Sequence, residues 1–226
     1  MADTTTTTTT NNDDFIHVVV TGGGPYLEWD FNTSAMIRDT LPAAITRPGA
    51  KPIKITKHPD NVQCNYGPCR QLIEGVWNHP NNKKVDLAVH IGMNPPFPGF
   101  YLETRARRDG FAALGHDGLP FPEELAAPGG QWADLPAELR PGFDMLRVRD
   151  EVAARVPGAQ ITVSDDAGLY FCEFQLLTSL AAVRDRPERG HAVFLHVPED
   201  KSEKDISLGR DVAVEFITAL ANDMGR

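Results

Sequence analysis

Cysteine is scarce in this chain: Cys64, Cys69 and Cys172 are the three among 226 residues. An odd, low count argues against a disulfide-built scaffold and suits a reducing compartment. Cys64 and Cys69 lack the C-x-x-C spacing of zinc and redox motifs, so no metal site is expected there. Long apolar runs are absent too. None approaches the roughly 20 residues that a membrane helix needs, so no membrane association is expected. Positive charge is short: a formal net charge of −9 argues against nonspecific nucleic-acid binding. The N-terminal MADTTTTTTTNNDD has neither a basic segment nor an apolar core, and so does not read as a secretory signal. Its Thr, Asn and Asp composition predicts a disordered low-complexity tail over residues 1–14. A cytoplasmic location is the resulting expectation.

What is present is ordinary globular material. Apolar residues make up 41% and charged residues 23%, and a chain of this length buries a core without disulfides or metal. Residues 15–226 read as a single domain. FIHVVVTG is a compact β-branched run ended by glycines, hence a buried strand. NTSAMIRDTL reads as a helix with Asn32 or Thr33 as cap. KPIKITKH, KVDLAVHIGM, AQITVSD and HAVFLHVP read as further strands, with a short one near Phe100–Leu102. YGPCRQLIEGVWNH, FDMLRVRDEVAARV, LYFCEFQLLTSLAAVRD and the final ISLGRDVAVEFITALANDM read as helices. In the last, Val212, Phe216 and Leu220 form the apolar stripe. Residues 115–143 hold many Pro and Gly residues and no sustained period, and read as a long surface excursion beside the site, of the kind that can serve as a lid. Strand and helix alternate at βα spacing, so the class is α/β, with a mainly parallel sheet covered by helices on both faces. In such sheets, sites form beyond the carboxyl ends of the strands.

Cys172 carries the best clue to function. It stands where SDDAG ends a strand and a helical pattern begins. The partial positive charge of a helix N-terminus favours thiolate over thiol. His196 ends the following strand, and Glu103 precedes both in GFYLETRA. A thiol nucleophile, an imidazole base and a carboxylate that orients the imidazole are the parts of a cysteine hydrolase. Each has a plainer reading as well: a buried cysteine, a structural histidine, and a glutamate paired with Arg105 or Arg107. The run Arg105, Arg107, Arg108 reads as a solvated face, and His90 as a core histidine rather than a second base. TGGGPY lacks both the G-x-G-x-x-G spacing and the Lys-Ser/Thr ending of phosphate loops. It fits better as a turn that brings backbone close to a small ligand.

Taken together, these segments resemble the pyroglutamyl-peptidase I (pyrrolidone-carboxylate peptidase) family. SDDAGLYFCEFQLLTSL is similar to that family's nucleophile segment, VFLHVP to its histidine segment, and VDLAVHIGM followed by LETRA to its His-Val-Gly strand and glutamate segment. VVVTGGGPY, with Asn32-Thr33-Ser34 after it, resembles the N-terminal Thr-Gly-Phe-Gly-Pro-Phe signature. The matches keep their order from Val18 to Leu220. The resemblance implies a three-layer α/β/α sandwich of the phosphorylase/hydrolase-like type with a mixed, mainly parallel sheet. It implies removal of an N-terminal 5-oxoproline residue from peptides blocked at that end, with no cofactor. It puts the nucleophile on Cys172, the base on His196 and the orienting acid on Glu103. Substrate contacts fall on Gly23, Tyr26, Gly92, Met93, Tyr170 and Phe171.

The departures bear on substrate choice. Gly23 stands where the signature has its first Phe, so one wall of the ring pocket is missing, and Tyr26 replaces the second. Met93 stands where many bacterial members carry a Gln that hydrogen-bonds the pyroglutamyl group, and Glu173 replaces the Asn that usually follows the Cys. These departures motivate two alternatives: a cysteine hydrolase of another small N-acyl or lactam substrate, and a non-catalytic binding protein on the same scaffold.

Overall fold

The first expected strand forms as β1, Ile16–Gly22, with all seven residues buried. The computed structural model describes residues 15–26, 28–78, 84–95, 97–184 and 190–224. The tail expected over residues 1–14 lies outside them. After β1 come α1 (Thr33–Thr40), β2 (Ala44–Ile45), β3 (Ile53–Lys57), α2 (Tyr66–Asn78) and β4 (Leu87–Met93). Then follow β5 (Phe100–Glu103), β6 (Ala106–Arg107), β7 (Glu138–Leu139), α3 (Met145–Arg155), β8 (Ile161–Ser164), α4 (Phe171–Val183), β9 (His191–Val197) and α5 (Glu203–Met224). Of the two candidate caps on α1, Asn32 is the one: its Oδ1 accepts from the Ser34 backbone N–H at 3.1 Å. Asp144 does the same for α3.

Seven strands make one sheet in the order β2-β3-β1-β4-β9-β5-β8. The middle four, β3, β1, β4 and β9, run parallel. β5 runs antiparallel to β9 and parallel to β8, and β2 closes the far edge antiparallel to β3. The sheet is therefore mixed and mainly parallel, as expected. The two-residue β2 and the small β6–β7 ladder were not expected from the sequence.

Successive strand residues face opposite sides of a sheet, and the two sides differ. Val18, Val20, Val89, Ile91, Val193 and Leu195 pack with Ile37 of α1, Val148 of α3 and Phe216 of α5. On the other side, Ala192 and Phe194 pack with Ile73 of α2 and Phe174, Leu176 and Leu177 of α4. The result is three layers. Each fully buried Phe or Leu in these cores contributes about 1.5–3 kcal/mol relative to exposure.

Residues 115–143 lie against the second core. Phe121, Leu125, Trp132, Leu135 and Leu139 are buried in it, and Trp132 and Phe121 pack on Phe174 at ring distances of 5.7 and 6.0 Å. Side chains anchored in this way tie the segment to α4 rather than leave it loose over the sheet.

Candidate active site

The strand alternation that separates the two cores also aims the chemistry. Gly92 of β4 and His196 of β9 are direct partners across the ladder, and both share the face of Phe194, toward α4. β5 approaches β9 from the other side, with Tyr101 opposite His196. Two residues on, Glu103 points to the same face as Tyr101. Its Oε1 accepts a hydrogen bond from His196 Nδ1 at 2.7 Å. Both side chains are almost wholly buried, and Glu103 Oε2 has no hydrogen-bond partner among the described residues.

Cys172 enters from the helix layer as the second residue of α4. Burial alone would discharge His196, but the facing charge and hydrogen bond of Cys172, together with the hydrogen bond and charge of Glu103, outweigh it and raise the imidazole to about 10. Gly92 makes room for the sulfur: a Cβ there would stand 2.9 Å from Cys172 Sγ and 2.6 Å from Phe194 Cζ. Tyr170, the residue before α4, makes no side-chain cap. The first backbone N–H groups of α4 thus lack intrahelical partners and have no capping side chain at the N-cap.

These groups border a cavity of about 640 Å³. Its lining includes every expected site residue: Cys172, His196, Glu103, Gly23, Tyr26, Gly92, Met93, Tyr170 and Phe171. Tyr26 stacks on His116 at 5.3 Å and meets Phe171 edge-on at 6.3 Å. Burial, followed by the neighbouring Cys64, Tyr170 and Cys172, pushes the Tyr26 hydroxyl up to about 12, so it stays neutral. At Gly23, the N–H donates to Ser34 Oγ at 2.8 Å, and the Asn32 amide lies where a side chain at 23 would project.

The lining residues that the sequence did not assign to the site include Trp29, Gln63, Cys64 and Gln175. Gln175 carried a usable signal, because a residue three after Cys172 shares its helix face. Trp29, Gln63 and Cys64 arrive on loops with no periodicity to betray them. Burial, with Cys172 nearby, pushes the Cys64 thiol up to about 12.

The arginine run is not the solvated face expected of it. Arg107 donates from its backbone N, Nε and Nη2 to the fully buried Glu173 at 2.6–2.7 Å, and also pairs with Asp166. Arg105 pairs with Glu138, and Arg108 donates to Leu135 O at 2.6 Å. Glu173 accepts in addition from the N–H of Leu169, whose φ of 50° is left-handed. The carboxylate thereby fixes the loop before Cys172, which supplies Asp166, Ala167 and Gly168 to the cavity. Sequence spacing could not reveal this contact, because the partners are 66 residues apart. His90 is a core histidine: fully buried, with Nδ1 2.9 Å from Thr21 Oγ1 and Nε2 2.8 Å from Ser179 Oγ. Burial, with His58 a smaller cause, lowers its pKa to about 3.

No family model matches this chain. Mouse pyroglutamyl-peptidase 1 is 28% identical over 180 residues, which cover 79% of this chain and 77% of the mouse protein. The human pyroglutamyl-peptidase 1 shows the same identity and coverage. Among solved structures, a mutant pyrrolidone carboxyl peptidase from Pyrococcus furiosus superposes with a TM-score of 0.74 at 19% identity, covering 92% of this chain and all of that one. Pyroglutamyl peptidase I from Bacillus amyloliquefaciens matches with a TM-score of 0.74 at 18% identity, covering 92% and 95% of the two chains. The structural matches establish the fold. In sequence, the chain is similar to these pyroglutamyl-peptidase 1 proteins over about four fifths of its length.

Proposed function

We propose that this protein is a cysteine peptidase that removes an N-terminal 5-oxoproline residue from peptides. The observation that carries the reading is the convergence of Glu103, His196 and Cys172 at one cavity: a carboxylate 2.7 Å from one imidazole nitrogen, and a thiol at a helix start whose charge acts on the same ring. The named activity of the related mammalian proteins supports the substrate class.

The reaction follows from those positions. Sγ of Cys172, its proton held by His196, attacks the carbonyl carbon that joins 5-oxoproline to the next residue. A C–S bond forms and the carbonyl oxygen becomes an oxyanion, facing the uncapped N–H groups at the start of α4. Collapse breaks the C–N bond as His196 gives its proton to the leaving amine. Water then attacks the thioester, its proton passing to His196. The C–S bond breaks, and 5-oxoproline leaves with the thiol regenerated. Glu103 keeps the imidazole oriented and balances its charge through both halves. Tyr26 and Phe171 wall the acyl side with apolar faces. A charged free glutamate would have to shed its hydration there, which disfavours it. The chemistry needs no cofactor, and the setting we assign is cytoplasmic.

The test is release of 7-amino-4-methylcoumarin from pyroglutamyl-7-amino-4-methylcoumarin, wild type beside Cys172→Ser. Release by wild type and none by the variant supports the reading. No release by a folded wild type would overturn it. That outcome would turn attention to other small N-acyl or lactam substrates, which the Asn32 amide standing in place of a side chain at Gly23 and the thioether of Met93 favour.

A further inference from the structure

Gln175 lines the cavity and is 4% exposed. It sits one helical turn beyond Cys172, so both side chains leave the same face of α4. Its amide is held in one orientation by a buried chain of hydrogen bonds. Nε2 donates to Thr21 Oγ1 at 2.8 Å, Thr21 contacts His90 Nδ1 at 2.9 Å, and His90 Nε2 contacts Ser179 Oγ at 2.8 Å. Ser179 in turn accepts from Trp77 Nε1 at 2.9 Å. The neutral His90 ring serves this chain, with one nitrogen donating and the other accepting. Thr21 and His90 are partners on adjacent strands, so the anchor is part of the sheet itself. This arrangement occupies the Gln175 nitrogen and leaves Oε1 with no hydrogen bond among the described residues. Oε1 is also not among the sealed, unpartnered side-chain atoms, so it opens to the cavity.

A buried amide oxygen that faces a cavity without a partner is an acceptor waiting for a donor. Met93, which lines the same cavity, offers only a weakly accepting thioether. We infer that Gln175 Oε1 accepts the ring N–H of the 5-oxoproline group and so makes Gln175 the residue that selects a lactam. This inference rests on the peptidase reading above. Gln175 is a specificity residue: it touches the substrate ring and takes no part in the bond changes at Cys172. The Thr21–His90–Ser179–Trp77 chain positions it.

The test compares pyroglutamyl-7-amino-4-methylcoumarin with its lactone analogue, in which the ring N–H is replaced by oxygen. Wild type should favour the lactam in kcat/KM by ~10- to 100-fold, the value of one hydrogen bond to a buried acceptor. Gln175→Met and Gln175→Leu should bring the ratio close to one, chiefly through KM for the lactam. The ratio does not depend on how much of a variant is folded. A ratio left at the wild-type value in both variants, or near one in wild type, would overturn the assignment while the peptidase reading stands. Coumarin release from neither substrate by wild type would overturn that reading, and this assignment with it. Binding of pyroglutamamide to Cys172→Ser, with and without Gln175→Met, gives the same comparison without turnover; equal Kd values would overturn the assignment.

Discussion

Cys172 Sγ lies over Gly92 so closely that a β-carbon at position 92 would come within 2.9 Å of it. Phe194 closes the other side at 2.6 Å, from the strand next door. The glycine is needed here for space between a sheet and a helix start, so Gly92→Ala must move either the ring or the sulfur. Overpacking of this kind costs about 1–3 kcal/mol. A nucleophile displaced by about 1 Å can lose on the order of 100-fold in rate. The expected outcome is a modest fall in Tm with a fall of about 100-fold in kcat/KM. Calorimetry and steady-state kinetics check it together, and unchanged turnover would mean that the sulfur is not held where the reaction needs it.

His196 offers a sharper electrostatic test. Its folded pKa is raised from 6.5 to about 10. A raised histidine pKa stabilises the fold fully below 6.5. That contribution declines as pH rises and is gone above about 10. Wild type should therefore lose stability between pH 7 and pH 10 relative to Cys172→Ser, which removes the larger of the two supporting charges. The imidazole resonances of Cys172→Ser should titrate at lower pH than those of wild type. Glu103→Gln should shift them the same way by less. Histidine NMR across pH 5–11 reads both, and coincident curves for all three proteins would show that neither neighbour holds the proton.

Glu173 predicts a different kind of loss. It is fully buried and accepts from three Arg107 nitrogens and the Leu169 N–H, so Glu173→Ala would leave these four donors facing an empty space. Arg107 remains partly exposed and keeps Asp166, which softens the penalty. We expect a loss of about 2–3 kcal/mol, less than removal of one partner from a fully buried pair. Urea unfolding checks it. Because Leu169 and its loop feed the cavity, KM should rise as well. Glu173→Gln, which still accepts one set of hydrogen bonds, should fall between the two.

Much of this was legible in the sequence, for a physical reason. β1, β4 and β9 are central strands buried on both faces, and such strands read as unbroken β-branched or apolar runs. The helices announced themselves by period and cap. The catalytic candidates were found because each sits where a run ends: His196 near the end of β9, Glu103 at the end of β5, Cys172 at the start of α4. What escaped was whatever depends on contact between distant segments. Arg107 reads as a surface cation until Glu173 is seen beside it, and residues 115–143 read as a bare excursion until Trp132 and Phe121 are seen against Phe174. Short ladders such as β6–β7 have too few residues to show a period at all.

The leaving-group end of the cavity can be assigned from the same register. In the proposed mechanism His196 delivers its proton to the departing amine, and Tyr101 is the residue opposite His196 on β5. Phe97 meets Tyr101 edge-on at 5.8 Å and is 51% exposed at the cavity rim. With Tyr26 and Phe171 walling the acyl side as proposed, the residue after 5-oxoproline would lie beside Phe97 and Tyr101. A half-exposed aromatic gains by covering an apolar side chain, and a ring pair adds about 0.5–1.5 kcal/mol beyond area burial. Phe97→Ala should therefore raise KM about 3- to 10-fold for pyroglutamyl-phenylalanyl peptides, and by less for pyroglutamyl-alanyl peptides. Competition between the two peptides in one reaction, followed by chromatography, measures the ratio directly. A ratio that Phe97→Ala does not change would place the leaving group elsewhere along the cavity, with Trp29 and its bond to Glu199 as the next wall to test.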